Sequence, residues 1–540
     1  MTYSTATLPS LRWLLAVPIS AAPTGRIVPV ADALDQLATT VTIDLGPALG
    51  ADGPRPTGVP FARLRSFTRA AVIAATPLLS NVNALAERIA ASSRVPPAAD
   101  VLAAVAKIVG VGPLHAEIAA IYAPKPAPAP TPAPAAAGSD HAAASGELVD
   151  ELLTAAPAPA APNPDRPAAI IDALVRGGQA PAPSAGEADN TRAARERIAA
   201  AAARAADLAL ADPAVRAREA LWRDLKLVHE QCANREGFSA SVLDADPALV
   251  VHYLEQLAED DPMARPDVVF VGGLADLDDL APLAEKASDA LVPVVVSLAP
   301  AALGRADLGA VSDLSEKPAD IPPAWTDLRA DANTRWLAAV TNPVVFVRDG
   351  ARTVLGAPAL TLAALMAASH RDTGGLASLA RAGAFAAPLV ADAVVAGQDP
   401  PPPTETLALL KTQGRLAGLG LIALGSPRTG ESLVVAACPV VHSGADAPSL
   451  PAQILTGRIV RFALWVRAQI PPGAPAQAVS RLFAEASSVS LLPGLTREEG
   501  VMTAELDAEN HQVAITARVH PAIAGAPLEI QFSLPVSGLA

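Results

Sequence analysis

The chain of 540 residues has few aromatic residues, few cysteines and no excess of basic residues. Its two cysteines, Cys232 and Cys438, lie in separate segments without a CxxC pattern, so the sequence supports neither a disulfide framework nor a thiolate metal site. Lysine and arginine number 40 against 54 aspartates and glutamates, for a net charge of −14. Since phosphate contacts need basic side chains gathered on one face, we expect no nucleic-acid partner.

Long apolar runs are also absent from the sequence. The best candidate, Leu291 to Leu303, is interrupted by Pro293 and Pro300, whereas a membrane helix needs about 18 consecutive apolar residues. We therefore expect a cytoplasmic protein without direct membrane insertion.

The motifs of common enzymes are missing as well. The sequence has no GxxxxGK[ST] phosphate loop and no HExxH, and its eight histidines are scattered. Ser426 is followed by Pro427, which does not suit a nucleophile turn, and the acidic run Glu259 to Asp261 lacks the pattern of a cation-binding loop. We expect no enzymatic activity, no cofactor and no metal.

Proline and alanine, in contrast, are abundant and divide the chain. They alternate without periodicity around Ala123 to Ala136 and again further on, which is typical of an extended spacer. The composition predicts an N-terminal lobe (1–122), a linker (123–189) and a large C-terminal lobe (190–540). Two islands in the linker, 146–154 and 168–176, have the apolar spacing of short amphipathic helices.

The apolar patterns predict an α/β fold with mixed α+β character. Asp267 to Val271 and Pro293 to Ser297 are short apolar runs on either side of a helical pattern, as in a parallel βαβ unit. A long helical pattern, Thr191 to Gln231, is interrupted at Asp212-Pro213, which marks a new helix start. Further strands are predicted at Leu11 to Val17, Val41 to Leu45, Val344 to Val347, Leu419 to Leu424, Leu433 to Cys438, and in a C-terminal meander at Val501 to Leu506, Gln512 to Val519 and Leu528 to Leu534.

One stretch of the C-terminal lobe resembles a known family. The run from Leu210 to Leu225 has a proline-containing turn and then Glu219-x-x-Trp222-Arg223-x-Leu225. This pattern resembles the signature of the large sheath subunit (TssC/VipB) of type VI secretion systems.

The N-terminal lobe independently resembles the small sheath subunit (TssB/VipA). It has an apolar strand at Leu11 to Val17, a helix, an amphipathic strand, and then Phe61-x-x-Leu64-x-x-Phe67 at the entry to its helical tail. The resemblance implies that two subunits, usually separate chains, are fused here into one intertwined sheath protomer joined by the Pro/Ala-rich linker.

The family resemblance also implies partners. Such protomers form a helical homopolymer of six-fold rings around an inner tube of Hcp-like protein, and contraction propels the tube. The sheath is attached to a membrane-anchored baseplate complex in the bacterial cytoplasm. Strands that pair between protomers would include Leu14 and Leu15 near the N-terminus and Val513, Ile515, Val519 and Ile530 near the C-terminus. The alternative is that these strands only complete their own sheet.

The first linker island resembles the helix that an AAA+ recycling unfoldase recognises in the large subunit. Leu148, Leu152 and Leu153 would be its apolar anchors.

Two other interpretations remain open from the sequence. The chain is alternatively a non-contractile baseplate or scaffold adaptor of such a system. It is also, alternatively, a cytoplasmic α/β enzyme that uses the crevice after Asp267 to Val271, near Gly272-Gly273, for a small ligand.

Overall fold

The computed structural model describes residues 11–20, 22–92, 95–123, 185–232, 238–349, 352–376, 390–391, 402–427, 432–471, 473–491, 500–507, 511–524 and 527–535. These residues group into two compact units. The first unit draws on Met1–Ile43, Gly58–Val72 and Asp207–Ala540, and the second on Asp44–Thr57 and Ile73–Ala206. The two predicted linker helices, 146–154 and 168–176, lie outside the described residues, and the predicted domain boundaries stay predictions.

Strands and helices alternate along much of the chain. The strands are β1 Leu11–Val17, β2 Ile27–Pro29, β3 Thr39–Asp44, β4 Pro56–Phe61, β5 Phe238–Asp244, β6 Val268–Leu274, β7 Val294–Ser297, β8 Leu337–Thr341, β9 Val345–Asp349, β10 Arg352–Leu355, β11 Val390–Ala391, β12 Leu421–Ala423, β13 Gly500–Asp507, β14 Gln512–Val519 and β15 Leu528–Pro535. The helices are α1 Val30–Gln36, α2 Gly46–Leu49, α3 Arg69–Ala75, α4 Pro77–Ala91, α5 Ala98–Val109, α6 Pro113–Tyr122, α7 Ala185–Ala211, α8 Pro213–Cys232, α9 Pro247–Leu257, α10 Leu277–Ala290, α11 Leu308–Asp313, α12 Pro323–Ala330, α13 Pro358–Thr373, α14 Leu410–Gly418, α15 Leu450–Arg467, α16 Ala476–Ala486 and α17 Pro521–Ala524.

A seven-stranded sheet forms the centre of the first unit. Its strand order is β12-β8-β7-β6-β1-β5-β2, and every neighbouring pair is parallel except β2, which runs antiparallel to β5. The N-terminal strand β1 therefore lies in the interior of a sheet that is otherwise built mainly from the C-terminal lobe.

Continuous apolar sequence explains the interior strands. All four residues of β7 are buried, as are the first four of β6, because helices cover both faces of a parallel sheet. Helices α9 and α10 pack on one face, where Leu14, Val269, Val294 and Leu337 join their core. Helices α8 and α13 lie against the other face, where Leu360 approaches Gly272 of β6.

The C-terminal meander forms a second, smaller sheet in the first unit. Its order is β13-β14-β15, antiparallel throughout, with Ile515 opposite both Ala504 and Phe532. The buried face of β14 alternates with an exposed face, as expected of a half-buried strand. Helices α15 and α16 cover it, with Phe462 and Phe483 completely buried.

The second unit is mainly helical. Helix α4 buries one stripe that includes Leu79, Val82 and Ile89, and α5 buries a similar stripe. Positions spaced three or four residues apart lie on one face of a helix, so these stripes form a core between neighbouring helices.

The predicted α/β fold class is confirmed, and so are the parallel βαβ unit, the helix start after Asp212 and the C-terminal meander. The predicted strand at Leu433 to Cys438 is wrong. This segment is apolar, but among the described residues it forms no strand and pairs through an isolated bridge between Val434 and Gly425.

Candidate functional site

Helix α8 contains the Glu-x-x-Trp-Arg-x-Leu motif. The helix begins directly after Asp212, which caps it. The Asp212 carboxylate accepts hydrogen bonds from the backbone N–H of Ala214 and Val215, at 2.9 and 3.3 Å. Pro213 occupies the first helical position, where its missing N–H costs nothing. The chain therefore ends α7 and begins α8 at this point.

Glu219, the first motif residue, is completely buried and fully paired. One carboxylate oxygen accepts from Nε and Nη2 of Arg223 at 3.0 and 2.8 Å, and the other from Nη2 of Arg352 on β10. A buried carboxylate is tolerated only when cations and hydrogen bonds replace its hydration. The pairing fixes α8 to the β9–β10 hairpin, a contact that the sequence did not indicate.

Trp222 and Leu225, the remaining motif residues, are buried beneath α8. The Trp222 ring meets the ring of Phe67 edge-on at 6.0 Å, and Phe67 stacks on Phe61 at 4.7 Å. The Phe-x-x-Leu-x-x-Phe motif of the N-terminal lobe thus contacts the Glu-x-x-Trp-Arg-x-Leu motif of the C-terminal lobe. Two motifs far apart in sequence form one aromatic contact.

Leu14 and Leu15 lie in β1, which is paired on both of its edges within the chain. Leu15 stands opposite Val242 of β5 and opposite Phe270 of β6. Both leucines are at most 3% exposed. A role for this strand as a link between protomers stays a prediction, and it would require β1 to leave the sheet.

The other predicted linking residues lie in the C-terminal meander. Val513, Ile515 and Val519 point into the core from β14, the central strand. Ile530 is half-buried on β15, an edge strand of eight residues. Within the described residues no further strand pairs with β15 on the side away from β14.

A buried charge cluster connects β1, β6 and α15. The Asp267 carboxylate accepts from the Arg12 backbone N–H at 2.9 Å, from Nη2 of Arg461 at 2.7 Å and from Nη1 of Arg458 at 3.3 Å. Burial lowers the pKa of Arg461 to about 10, although nearby Asp267 opposes the shift. The sequence signal was two arginines three residues apart on a largely apolar helix.

Asp224 of α8 lies at the N-terminus of α13. Its Oδ2 accepts the backbone N–H of Ala357 at 2.8 Å, whereas Oδ1 has no hydrogen-bond partner among the described residues. Asp224 is 2% exposed, and burial raises the pKa of its carboxyl well above the usual value, against the hydrogen bond from Ala357.

A cavity of about 810 Å³ opens at the carboxyl ends of β1, β6 and β7, where Asp224 is part of its wall. The crevice expected near Gly272-Gly273 is part of this cavity. The wall is predominantly apolar and comprises residues such as Val17, Pro18, Ala217, Leu221, Leu274, Leu298, Pro300, Leu308, Pro343, Leu355 and Leu360.

Neither a metal cluster nor a membrane helix is found in the described part of the chain. No three metal-ligating side chains gather there. No helix in that part combines the length and the apolar character needed to cross a bilayer.

No family model matches the chain, and no curated protein does. Among solved structures, the chain is similar to a protein chain in the cryo-EM structure of the anti-feeding prophage baseplate. The two share 12% identity over 57% of this chain and 78% of that chain, with a TM-score of 0.34.

Proposed function

We propose that this chain is the structural protomer of a type VI-like contractile secretion sheath. It polymerises into six-fold rings around an Hcp-like inner tube, on a membrane-anchored baseplate in the bacterial cytoplasm, and contracts to propel the tube. It acts without catalysis, because movement of the tube requires only interfaces with two packings of similar energy.

The observation that carries the proposal is the position of β1. This strand belongs to the part of the sequence that resembles the small sheath subunit, yet it lies between β5 and β6, which belong to the part that resembles the large subunit. The contact of Trp222 with Phe67 joins the two family-like motifs in the same way. Shared cores of this kind support one intertwined protomer made from two fused subunits.

The open edge of β15 supports polymer formation. The edge strands of the seven-stranded sheet, β2 and β12, have three residues each. Such short strands protect an edge against pairing. β15 has eight residues, and its alternating pattern presents Leu528, Ile530 and Phe532 to the core. A strand of a neighbouring protomer would add to this edge through backbone hydrogen bonds.

The edge of β13 is less suited to strand addition. Helix α16 packs against β13, and the Ser480 hydroxyl donates a hydrogen bond of 2.5 Å to the Ala504 carbonyl. We therefore place the inter-protomer contact on β15 and not on β13.

Hydrogen exchange of the soluble chain and of its sedimented assembly tests this proposal. We expect the backbone amides from Leu528 to Leu534 to exchange more slowly in the assembly, because new hydrogen bonds form on the outer side of β15. The amides of Ile27 and Val28 on the protected edge serve as the internal control and should not change. Equal exchange of β15 in both forms, or the lack of any assembly with and without the tube protein, would contradict the proposal.

A further inference from the structure

The cavity at the carboxyl ends of β1, β6 and β7 has the position at which open α/β sheets bind ligands. Two glycines shape it. A Cβ at Gly272 would lie 2.5 Å from Cγ1 of Val17, so glycine lets β6 approach β1 closely, whereas a Cβ at Gly273 would meet no atom within 4 Å. The space beside Gly273 is therefore free for a ligand. Leu274 at the mouth is 66% exposed, which gives the entrance an apolar lip.

The ionisable side chains of the wall are mainly acidic. Asp224, Asp307 and Glu405 line the cavity together with one cation, Arg218. Arg218 is already engaged, since its Nη1 donates to the Ile19 carbonyl at 2.7 Å, and neighbouring Asp244 stabilises its charge. The charge of the wall therefore favours a cationic group over an anionic one.

Among the described residues of this wall, Asp224 is the buried side chain with an unmet hydrogen-bonding requirement. Its Oδ2 accepts from Ala357, but Oδ1 has no partner among the described residues. Buried polar atoms are nearly always paired, and an exception in a cavity wall indicates a missing partner. When Asp224 is ionised, its Oδ1 accepts hydrogen bonds, so the partner of this form is a donor, and a cation there would offset the burial that raises the pKa of the carboxyl.

We propose that the cavity binds a small molecule with an apolar body and a protonated primary amine, whose ammonium group pairs with Asp224. An ammonium offers three donors and no acceptor, which matches a carboxyl with an unpaired oxygen. The apolar body replaces water along the alanine, leucine and proline side chains of the wall. Ligand binding at this site does not depend on polymer formation.

A carboxylate ligand is the competing possibility. Arg218 and the N-terminus of the 16-residue helix α13 would both attract an anion. However, Asp224 already occupies the N–H of Ala357 at that helix terminus.

Calorimetric titration of the full-length chain with n-octylammonium, octanoate and 1-octanol, which share one apolar body, tests the proposal. We expect n-octylammonium to bind at one site, at least tenfold more tightly than octanoate or 1-octanol. Asp224→Asn should weaken the binding of the amine at least tenfold, because the amide removes the negative charge and places a donor near the ammonium. Gly273→Leu should abolish it by filling the cavity.

Gly414→Leu is the matched control, since Gly414 also has no atom within 4 Å of an added Cβ but lies outside the cavity. It should bind the amine as the unaltered chain does. Thermal unfolding of each variant establishes that it is folded, and Asp224→Asn keeps the test valid if Gly273→Leu does not fold. Tighter binding of octanoate, or binding of the amine that neither variant weakens, would overturn the proposal.

Discussion

Trp222 meets Phe67 edge-on at 6.0 Å, and this contact joins the two family-like motifs. Truncating a buried aromatic residue to alanine costs about 3 to 5 kcal/mol of unfolding free energy, so we expect Trp222→Ala to lower stability by that order. Denaturant unfolding measures the change. A double-mutant cycle with Phe67→Leu and Trp222→Leu isolates the ring contact, which we expect to contribute about 0.5 to 1.5 kcal/mol. Strict additivity would show that the two rings do not interact.

Glu219 holds two arginines, and removing its charge should destabilise the protein. Loss of one partner of a buried ion pair costs about 3 to 5 kcal/mol, and we expect Glu219→Gln to show a loss of this order, because Arg352 stays buried with an uncompensated charge. Chemical unfolding followed by circular dichroism gives the value. Combining Glu219→Gln with Arg352→Met should recover part of the loss.

The control for this prediction lies on the same helix. Lys226 and Glu230 form an ion pair at 3.5 Å with both side chains more than half exposed. Such surface pairs contribute about 0.3 to 0.5 kcal/mol, so Glu230→Gln should change stability little. Equal losses of stability from Glu219→Gln and Glu230→Gln would show that the burial of Glu219 does not strengthen its contribution to stability.

Removing the charge of Asp267 should destabilise the protein as much as removing the charge of Glu219. It is the carboxylate between Arg458 and Arg461, whose side chains are 10% and 3% exposed. We expect Asp267→Asn to cost about 3 to 5 kcal/mol and Asp446→Asn, in an exposed pair with Arg335, to change stability little. Thermal unfolding of the two variants side by side measures both. A small effect at Asp267 would mean that the cluster is dispensable.

The buried carboxyl of Asp224 should make the stability of the folded chain fall as the pH rises. Burial raises the pKa of this carboxyl in the folded chain above its unfolded value of 3.8. Between these two pKa values the folded state retains a proton that the unfolded state releases, so stability falls as the pH rises through this window. Asp224→Asn cannot titrate, and its stability relative to the unaltered chain should increase from pH 4 towards neutrality. A constant difference across this range would show that the carboxyl is not perturbed.

Local sequence predicted the elements whose environment can be read from their own residues. The apolar run in β6 and the alternation in β14 identified these strands because a buried strand and a half-buried strand each have a typical pattern. The turn at Asp212-Pro213 likewise contains its own signal, a side-chain cap followed by proline.

The sequence patterns did not predict the strands and helices that depend on contacts with residues far away in the chain. Strand β5, Phe238–Asp244, contains alternating small polar residues. It is recognisable only through its pairing with β1, which lies far away in the sequence near the N-terminus. Helix α13 is buried on all sides from Pro358 to His370, so its sequence lacks an amphipathic period. The segment at Leu433 has strand-like composition, but within the described residues it forms an isolated bridge instead of a strand. Packing of this kind is a property of the whole fold.

In the candidate site, too, some residues could be predicted from local sequence and others could not. Glu219, Trp222, Arg223 and Leu225 were identified from one stretch of sequence, but Arg352 lies on a hairpin far along the chain and could not be assigned to them. The free oxygen of Asp224 depends on how α8 and α13 meet, which no local pattern encodes.

Negative-stain electron microscopy of the purified chain, alone and with an Hcp-like tube protein, decides whether the chain forms a sheath. We expect hollow tubes with six-fold, cogwheel-shaped ends. Monodisperse globular particles under both conditions would contradict it and would favour an adaptor or a ligand-binding protein instead.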